Sequence, residues 1–182
     1  LFEVGRDLPV VNSVDAIAEA NVLLIGIAPT GGGLPEPMRL QVLAAIERGM
    51  NIESGLHDFL ADDEEFVSAA QKSGSVLRDL RRNNERDVAQ RQNISSDCLR
   101  VHTVGHDCSV GKMITSIEIT RGLQHDGVDA KFIATGQTGI LVEGDGCPID
   151  AVVADFISGS VEKQILAHQH HQVLVIEGQG SI

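Results

Sequence analysis

The sequence predicts an α/β protein built as two parallel-sheet domains, each a three-layer sandwich of helices and sheet. Short apolar runs alternate along the chain with segments of helical spacing, the rhythm that right-handed crossovers turn into parallel sheets. One of those runs, Val22 to Ile27, is continuously apolar, as expected for a strand covered on both faces, and Val173 to Ile176 is a second strand-like apolar run. A polar stretch from Arg81 to Asp97 separates two copies of the rhythm.

In the first half, the strand at 22–27 breaks at Pro29-Thr30-Gly31-Gly32-Gly33, and Pro35 and Pro37 suit a helix start. Met38, Val42, Leu43 and Ile46 follow at helical spacing up to Gly49. Asn51 to Ser54 reads as a short strand, and Gly55-Leu56-His57-Asp58-Phe59 as its loop. Asp62 with Glu65 resembles a capping box that opens a helix ended by Gly74, and Val76 to Leu80 is the next strand. The polar stretch reads as a linker. The second half runs strand 99–104, glycine loop, helix to about 124, strand 130–134, a second glycine loop, a helical region near 149–167 and strand 173–176. Expected boundaries are 1–83, a linker at 84–98, and 99–182. Position 1 is Leu, and the chain stops just after a strand, so an internal piece of a longer protein is expected.

Bulk composition narrows the function. Apolar residues make up 42% of the chain, enough for packed cores, with no run long enough to span a membrane and no secretory signal. A formal charge of −12 and the absence of Trp and Tyr argue against nucleic acid as a partner. Cys98, Cys108 and Cys147 are odd in number and lack metal-type spacing, as expected of reduced cytoplasmic thiols. His168, His170 and His171 cluster before a strand, but nothing else supports a metal, so no metal site is expected. A homo-oligomer is the expected assembly.

The stretch with most chemical content is Val-Gly-His-Asp-Cys-Ser-Val-Gly-Lys-Met at 104–113. Strand, glycine loop, lysine and helix aim backbone N–H groups and a helix N-terminus at a phosphate. Five residues separate Gly105 from Gly111 where the usual pattern has four, and Met113 stands where Ser or Thr would bind magnesium. Gly105, His106, Cys108, Ser109, Val110, Gly111, Lys112 and Met113 are therefore the candidate ligand-binding residues, with Asp107 a candidate for chemistry. Glu177 closes the strand Val-Leu-Val-Ile and falls on the edge where open α/β sheets bind ligands. Ala134-Thr135-Gly136-Gln137-Thr138-Gly139 also follows a strand, and Gln137 and Thr138 offer neutral hydrogen bonds. Asp145, Asp150 and Asp155 follow as weaker candidates for a base. In the first half, Gly31-Gly32-Gly33 lacks the dinucleotide-binding glycine pattern, while His57 and Asp58 form a candidate acid–base pair.

Two resemblances follow from these motifs. The glycine–lysine loop together with Val-Ile-Glu-Gly-Gln-Gly resembles dethiobiotin synthetase and related P-loop enzymes over the second half. In those enzymes a hydroxyl residue follows the lysine, so Met113 departs from their pattern and argues against magnesium–ATP. Nearly the whole chain resembles the domain-of-unknown-function family 1611. The likeness rests on Gly-Arg-Asp-Leu-Pro-Val-Val (5–11), Ile-Gly-Ile-Ala-Pro (25–29), Ser-Gly-Leu-His-Asp-Phe-Leu (54–60), the 104–113 loop with its Met, Ala-Thr-Gly-Gln-Thr-Gly-Ile (134–140), Asp-Ala-Val-Val-Ala-Asp-Phe (150–156) and Val-Ile-Glu-Gly-Gln-Gly-Ser (175–181).

That resemblance implies a Rossmann-like N-terminal domain and a P-loop NTPase-like C-terminal domain, in a protein extending beyond both ends of this chain. It also implies an N-acyltransferase moving an acetyl group from acetyl-CoA to a small acidic D-amino acid such as D-glutamate. The loop and Lys112 would hold coenzyme A phosphates without magnesium. His57, Asp58, Asp107 and Glu177 are the candidate catalytic residues, and Gln137 and Thr138 join the cofactor-binding set. ATP with magnesium, or a non-catalytic nucleotide-sensing module, are the alternatives.

Overall fold

The computed structural model describes residues 7–27, 29, 31 and 33–180. Gly5 and Arg6 of the first motif, Ala28, Thr30 and Gly32 near the first glycine turn, and Ser181 of the last motif lie outside the described residues. By contact density the chain divides into two compact units, Leu1–Asp79 and Leu80–Ile182.

The first unit contains β1 (Val22–Ile25), α1 (Glu36–Glu47), β2 (Asn51–Ser54), α2 (Glu64–Ser73) and β3 (Leu77–Asp79). Its three strands are parallel and lie in chain order, β1-β2-β3, with Leu24 opposite Glu53 and Ile52 opposite Leu77. Both helices pack against each other, so Val42 and Ile46 of α1 and Phe66 and Ala70 of α2 share one core with Ile25 and Ile52. Pro35 caps α1 from an extended backbone and Pro37 occupies its first turn, where a missing N–H costs nothing. The cap of α2 is Asp63, one residue later than the spacing to Glu65 suggested. Its carboxylate accepts the Glu65 and Phe66 amides at 3.0 and 3.2 Å. Asp62 lies instead in the single helical turn Leu60–Asp62. Gly74 ends α2 in the left-handed conformation at φ +78°.

The second unit contains β4 (Leu99–His102), α3 (Lys112–His125), β5 (Ala130–Ile133), α4 (Gln137–Glu143), α5 (Ile157–His168) and β6 (Val173–Ile176). Its strands are also parallel, but β6 inserts between the other two, giving the order β4-β6-β5. All four residues of β6 are buried. Leu174 and Ile176 pack toward Ile165 of α5, while Val173 and Val175 pack with Leu123 of α3. The helices therefore cover opposite faces of this sheet. The expected helical region at 149–167 is shorter: two single turns, Ile149–Ala151 and Ala154–Phe156, precede α5. The glycine tract after β5 supplies α4, a helix not foreseen, because Gly136 caps it and Gly144 stops it at φ +83°.

The polar stretch before β4 is pinned along α5. Glu162 of α5, itself buried, accepts the backbone N–H groups of Gln90 and Arg91 at 2.6 and 2.5 Å. Lys163 reaches Glu85 at 3.0 Å, and Gln169 accepts the Ser95 amide at 2.7 Å. Gly159 leaves no room for a Cβ because the Asp87 carbonyl lies against it. Arg81 and Asn83 bond Asp150 and the Ala151 carbonyl at 2.9 and 3.1 Å.

Candidate functional site

The loops after β4 and β6 converge because those strands are neighbours, the place where an open α/β sheet forms a crevice at its carboxyl edge. Gly111, at φ +97°, caps α3 without any side-chain cap, so the first-turn N–H groups of this helix keep their anion-binding capacity. Two residues earlier, Ser109 holds a left-handed backbone at φ +57°, a conformation that costs a non-glycine residue about 1 kcal/mol or more. Alternating backbone hands of this kind turn successive N–H groups inward as an anion nest. Gly105 is closely packed: a Cβ there would lie 2.7 Å from Val110 Cγ2 and 3.3 Å from Lys112 Cδ, so both side chains would have to shift.

Lys112 crosses the mouth of the loop. Its Nζ donates to the Asp107 carbonyl at 2.7 Å and to the Gly180 carbonyl at 2.6 Å. A cavity of about 330 Å³ opens beside it, walled by Ser109, Met113, Glu177, Gly178 and Gly180 among others. Met113 also packs against the core of Leu80, Ile117 and Phe132, so its apolar chain replaces a hydroxyl at that point.

Glu177 follows β6 and is 4% exposed. Its carboxylate accepts the Thr135 and Gly136 amides at 2.8 and 3.0 Å, and its own carbonyl accepts the Thr135 hydroxyl at 2.9 Å. Burial pushes the carboxyl above the ordinary range; the two amides and Gln179 oppose that rise, and Asp150 adds to it. Gly139 exists where it does because a Cβ would sit 2.5 Å from Glu177 Oε2. One carboxylate thus ties the end of β6 to the start of the 135–139 tract.

Thr103 and Gly178 are site residues that sequence reasoning missed. The Thr103 hydroxyl contacts Ser116 Oγ of α3 at 2.8 Å and accepts the Gly178 amide at 3.1 Å, locking β4, α3 and the loop after β6 together. Gly178 packs so tightly on the Thr103 carbonyl that a Cβ would overlap it. The Glu-Gly-Gln-Gly run carried the signal for Gly178, whereas nothing in the pattern marks Thr103.

The candidates named from sequence divide accordingly. Gly105 through Met113 form one loop and helix start, in which His106, Asp107, Cys108 and Val110 are exposed. Asp107 Oδ1 accepts the neighbouring Cys108 amide at 2.7 Å, and Cys108 is a free thiol. Gln137 and Thr138 open α4, next to the backbone that Glu177 holds. His57 and Asp58 belong to the first unit, in the loop after β2, where Asp58 Oδ2 would lie 3.0 Å from a Cβ on Gly33. His168 and His171 pair with Asp145 and Asp129 at 3.2 and 2.8 Å. Among the described residues, no group of three or more His, Cys, Asp or Glu is placed to hold a metal ion, and no helix is long and apolar enough to cross a membrane.

A Rossmann-like unit followed by a P-loop unit is the class of protein that this fold and loop define. Residues 1–83 match the Rossmann-like N-terminal domain of unknown function DUF1611_N, and residues 87–182 match the P-loop domain DUF1611_C. The chain belongs to the DUF1611 family. It is 42% identical over 163 residues to a D-glutamate N-acetyltransferase of Pseudoalteromonas sp., covering 90% of this chain and 49% of that protein. A D-glutamate N-acetyltransferase of Tritonibacter scottomollicae is 39% identical over 169 residues, covering 91% and 49%. The crystal structure of a DUF1611 family protein from Anabaena variabilis superposes with a TM-score of 0.84 at 41% identity, over 89% of this chain and 48% of that one. The chain spans about half the length of the curated relatives it matches.

Proposed function

We propose that the protein containing this chain is an N-acetyltransferase that moves the acetyl group of acetyl-CoA to the amine of a small acidic D-amino acid, D-glutamate or a close analogue. The observation that carries this reading is the loop at 105–112: an uncapped helix start, left-handed backbone at Ser109 and Gly111, and Lys112, beside a cavity of about 330 Å³. Such a cradle binds phosphate through N–H dipoles and one mobile cation. It offers Met113 where a magnesium-binding hydroxyl would be needed, which suits coenzyme A phosphates better than magnesium–ATP. The names of the two relatives support the transfer reaction and the amino acid class.

Acetyl-CoA supplies the acyl group as a thioester. The amine nitrogen forms a bond to the carbonyl carbon, the C–S bond breaks, and one amine proton ends on the departing thiol by way of a base. Asp107 in the loop and Glu177 in the cavity wall are the candidate bases beside the cradle. Burial raises the proton affinity of Glu177, the direction that favours a base. Free thiols at Cys98, Cys108 and Cys147 fit a reducing, cytoplasmic setting.

Calorimetric titration of the full chain with acetyl-CoA, with and without magnesium, tests the cradle, followed by assay of acetyl transfer to D-glutamate. Binding is expected without magnesium. Lys112→Ala is expected to raise the acetyl-CoA Kd about 100-fold, the loss of a charged contact to phosphate. Magnesium-dependent ATP binding with no coenzyme A binding would overturn the reading.

A further inference from the structure

A second cavity of the same unit, about 470 Å³, runs between α5 and the sheet and shares one wall residue, Glu177, with the phosphate cradle. Its lining is mainly apolar, with Ile157, Val161 and Ile165 on the helix side and Ile176 from β6. Its two carboxylates already hold backbone amides. Glu162 spends both oxygens on the Gln90 and Arg91 amides, and Glu177 holds the Thr135 and Gly136 amides. Arg91, at the groove with a left-handed backbone of φ +54°, and His102 are the basic side chains on its wall. A dicarboxylic amino acid would bring two carboxylates and one ammonium, a net negative charge, to a wall that already carries two carboxylates against one arginine. A neutral, largely aliphatic occupant meets no such opposition.

We propose that this groove seats the pantetheine arm and acyl end of acetyl-CoA, while the 105–112 loop holds the phosphates. The proposal rests on the reading of the cradle given above. A coenzyme A thioester lies at the far end of a long arm from its pyrophosphate, so a phosphate anchor alone leaves the reacting carbon unplaced. The arm is neutral, with a gem-dimethyl carbon and alkyl segments for Val161 and Ile165, and amides for the Ser158 hydroxyl on the same wall. Glu177, shared by the two cavities, marks where phosphate end and arm part company.

The test compares acetyl-CoA with adenosine 3′,5′-bisphosphate, which carries phosphates but no arm, on the full chain. Wild type is expected to bind acetyl-CoA at least about tenfold more tightly than the bisphosphate. Val161→Phe, which fills the groove, and Ser158→Trp, at its exposed rim, are each expected to raise the acetyl-CoA Kd about tenfold while moving the bisphosphate Kd less than about twofold. Melting curves confirm that each variant is folded, and the rim variant serves if Val161→Phe is not. Unchanged acetyl-CoA binding in a folded, groove-filled variant would overturn the proposal. So would a raised KM for the amino acid with acetyl-CoA affinity intact, which would make the groove the acceptor's site. If wild type binds the bisphosphate but gains nothing from the arm, the groove proposal alone fails. If wild type binds neither, the cradle reading fails and takes the groove with it.

Discussion

Each sheet of this molecule follows its first strand with a glycine turn, and the two turns have different fates. After β1, Gly31 adopts φ +88° and the chain enters α1 through Pro35, whose ring supplies no donor. After β4, the chain enters α3 through Gly111 and Lys112, with no side chain spent on the cap. Strand order widens the contrast. In the first sheet β1 lies at the edge with β2 beside it, in chain order. In the second, β6 slots in next to β4 and delivers Glu177 and Gly178 to the loop. Glycine after a strand is thus only permission for the backbone to turn. A phosphate site also needs free helix N–H groups, a cation, and a neighbouring strand that ends in the right residues.

The sharpest way to break the contrast is at Gly178. Gly178→Ala forces a Cβ onto the Thr103 carbonyl, and the second unit is expected to lose about 4 kcal/mol or more in urea unfolding. A loss under about 1 kcal/mol would mean that the junction of β4 and β6 tolerates movement.

The two units also hold their best-placed acids in opposite ways. Asp63 accepts Arg39 through both oxygens at 2.6 and 2.9 Å, and this guanidinium holds its pKa down to about 2. A folded pKa below the unfolded value stabilises the fold above that unfolded value, near 4, and the benefit fades as pH falls toward 2. Asparagine caps a helix about as well as aspartate, so Asp63→Asn isolates the ion pair. It is expected to cost about 1 kcal/mol at pH 7, reduced by solvent screening, and only a small fraction of that at pH 2, where the carboxyl is half protonated. Glu177 runs the other way. Its raised pKa means the folded state binds the proton more tightly, so its contribution falls as pH rises above 4.5. Glu177→Gln is expected to remove that slope from melting curves taken between pH 4 and 8, and an unchanged slope would show that the carboxyl is not the group responsible.

The smallest effect is expected at Gly31. Alanine there pays for the left-handed backbone but gains from a stiffer unfolded chain, leaving a net cost of about 0.5 kcal/mol. Acetyl-CoA affinity is expected to stay as in wild type. A tenfold loss would give the first turn a share in phosphate binding and dissolve the contrast between the two turns.

Both apolar runs were legible as strands, but not their burial: β1 lies at a sheet edge with Val22 and Leu24 exposed, whereas Val173 to Ile176 is buried throughout because α3 and α5 pack on either side of it. The loop was legible because glycine and lysine spacing is a local property of the chain. What could not be read locally was less visible. Nothing in the pattern marks Thr103, since its role depends on Ser116 and Gly178, thirteen and seventy-five positions away. The tract at 84–98 has a linker's composition, yet its donors are satisfied by Glu162 and Gln169 of a helix and turn some seventy residues on. Asp62 and Asp63 are adjacent acids with equal claims to a cap, and only the single turn at Leu60–Asp62 decides between them.

The contacts of Lys112 turn ligand capture into an exchange. Two of its three N–H donors already serve the Asp107 and Gly180 carbonyls, so on the proposed reading a phosphate that takes more than the third donor displaces one of them. Measured affinity will be the difference between the bonds gained and those given up. The Gly180 contact also ties Lys112 to the segment just past Glu177, so on the proposed reading giving up that carbonyl would couple phosphate capture to that segment.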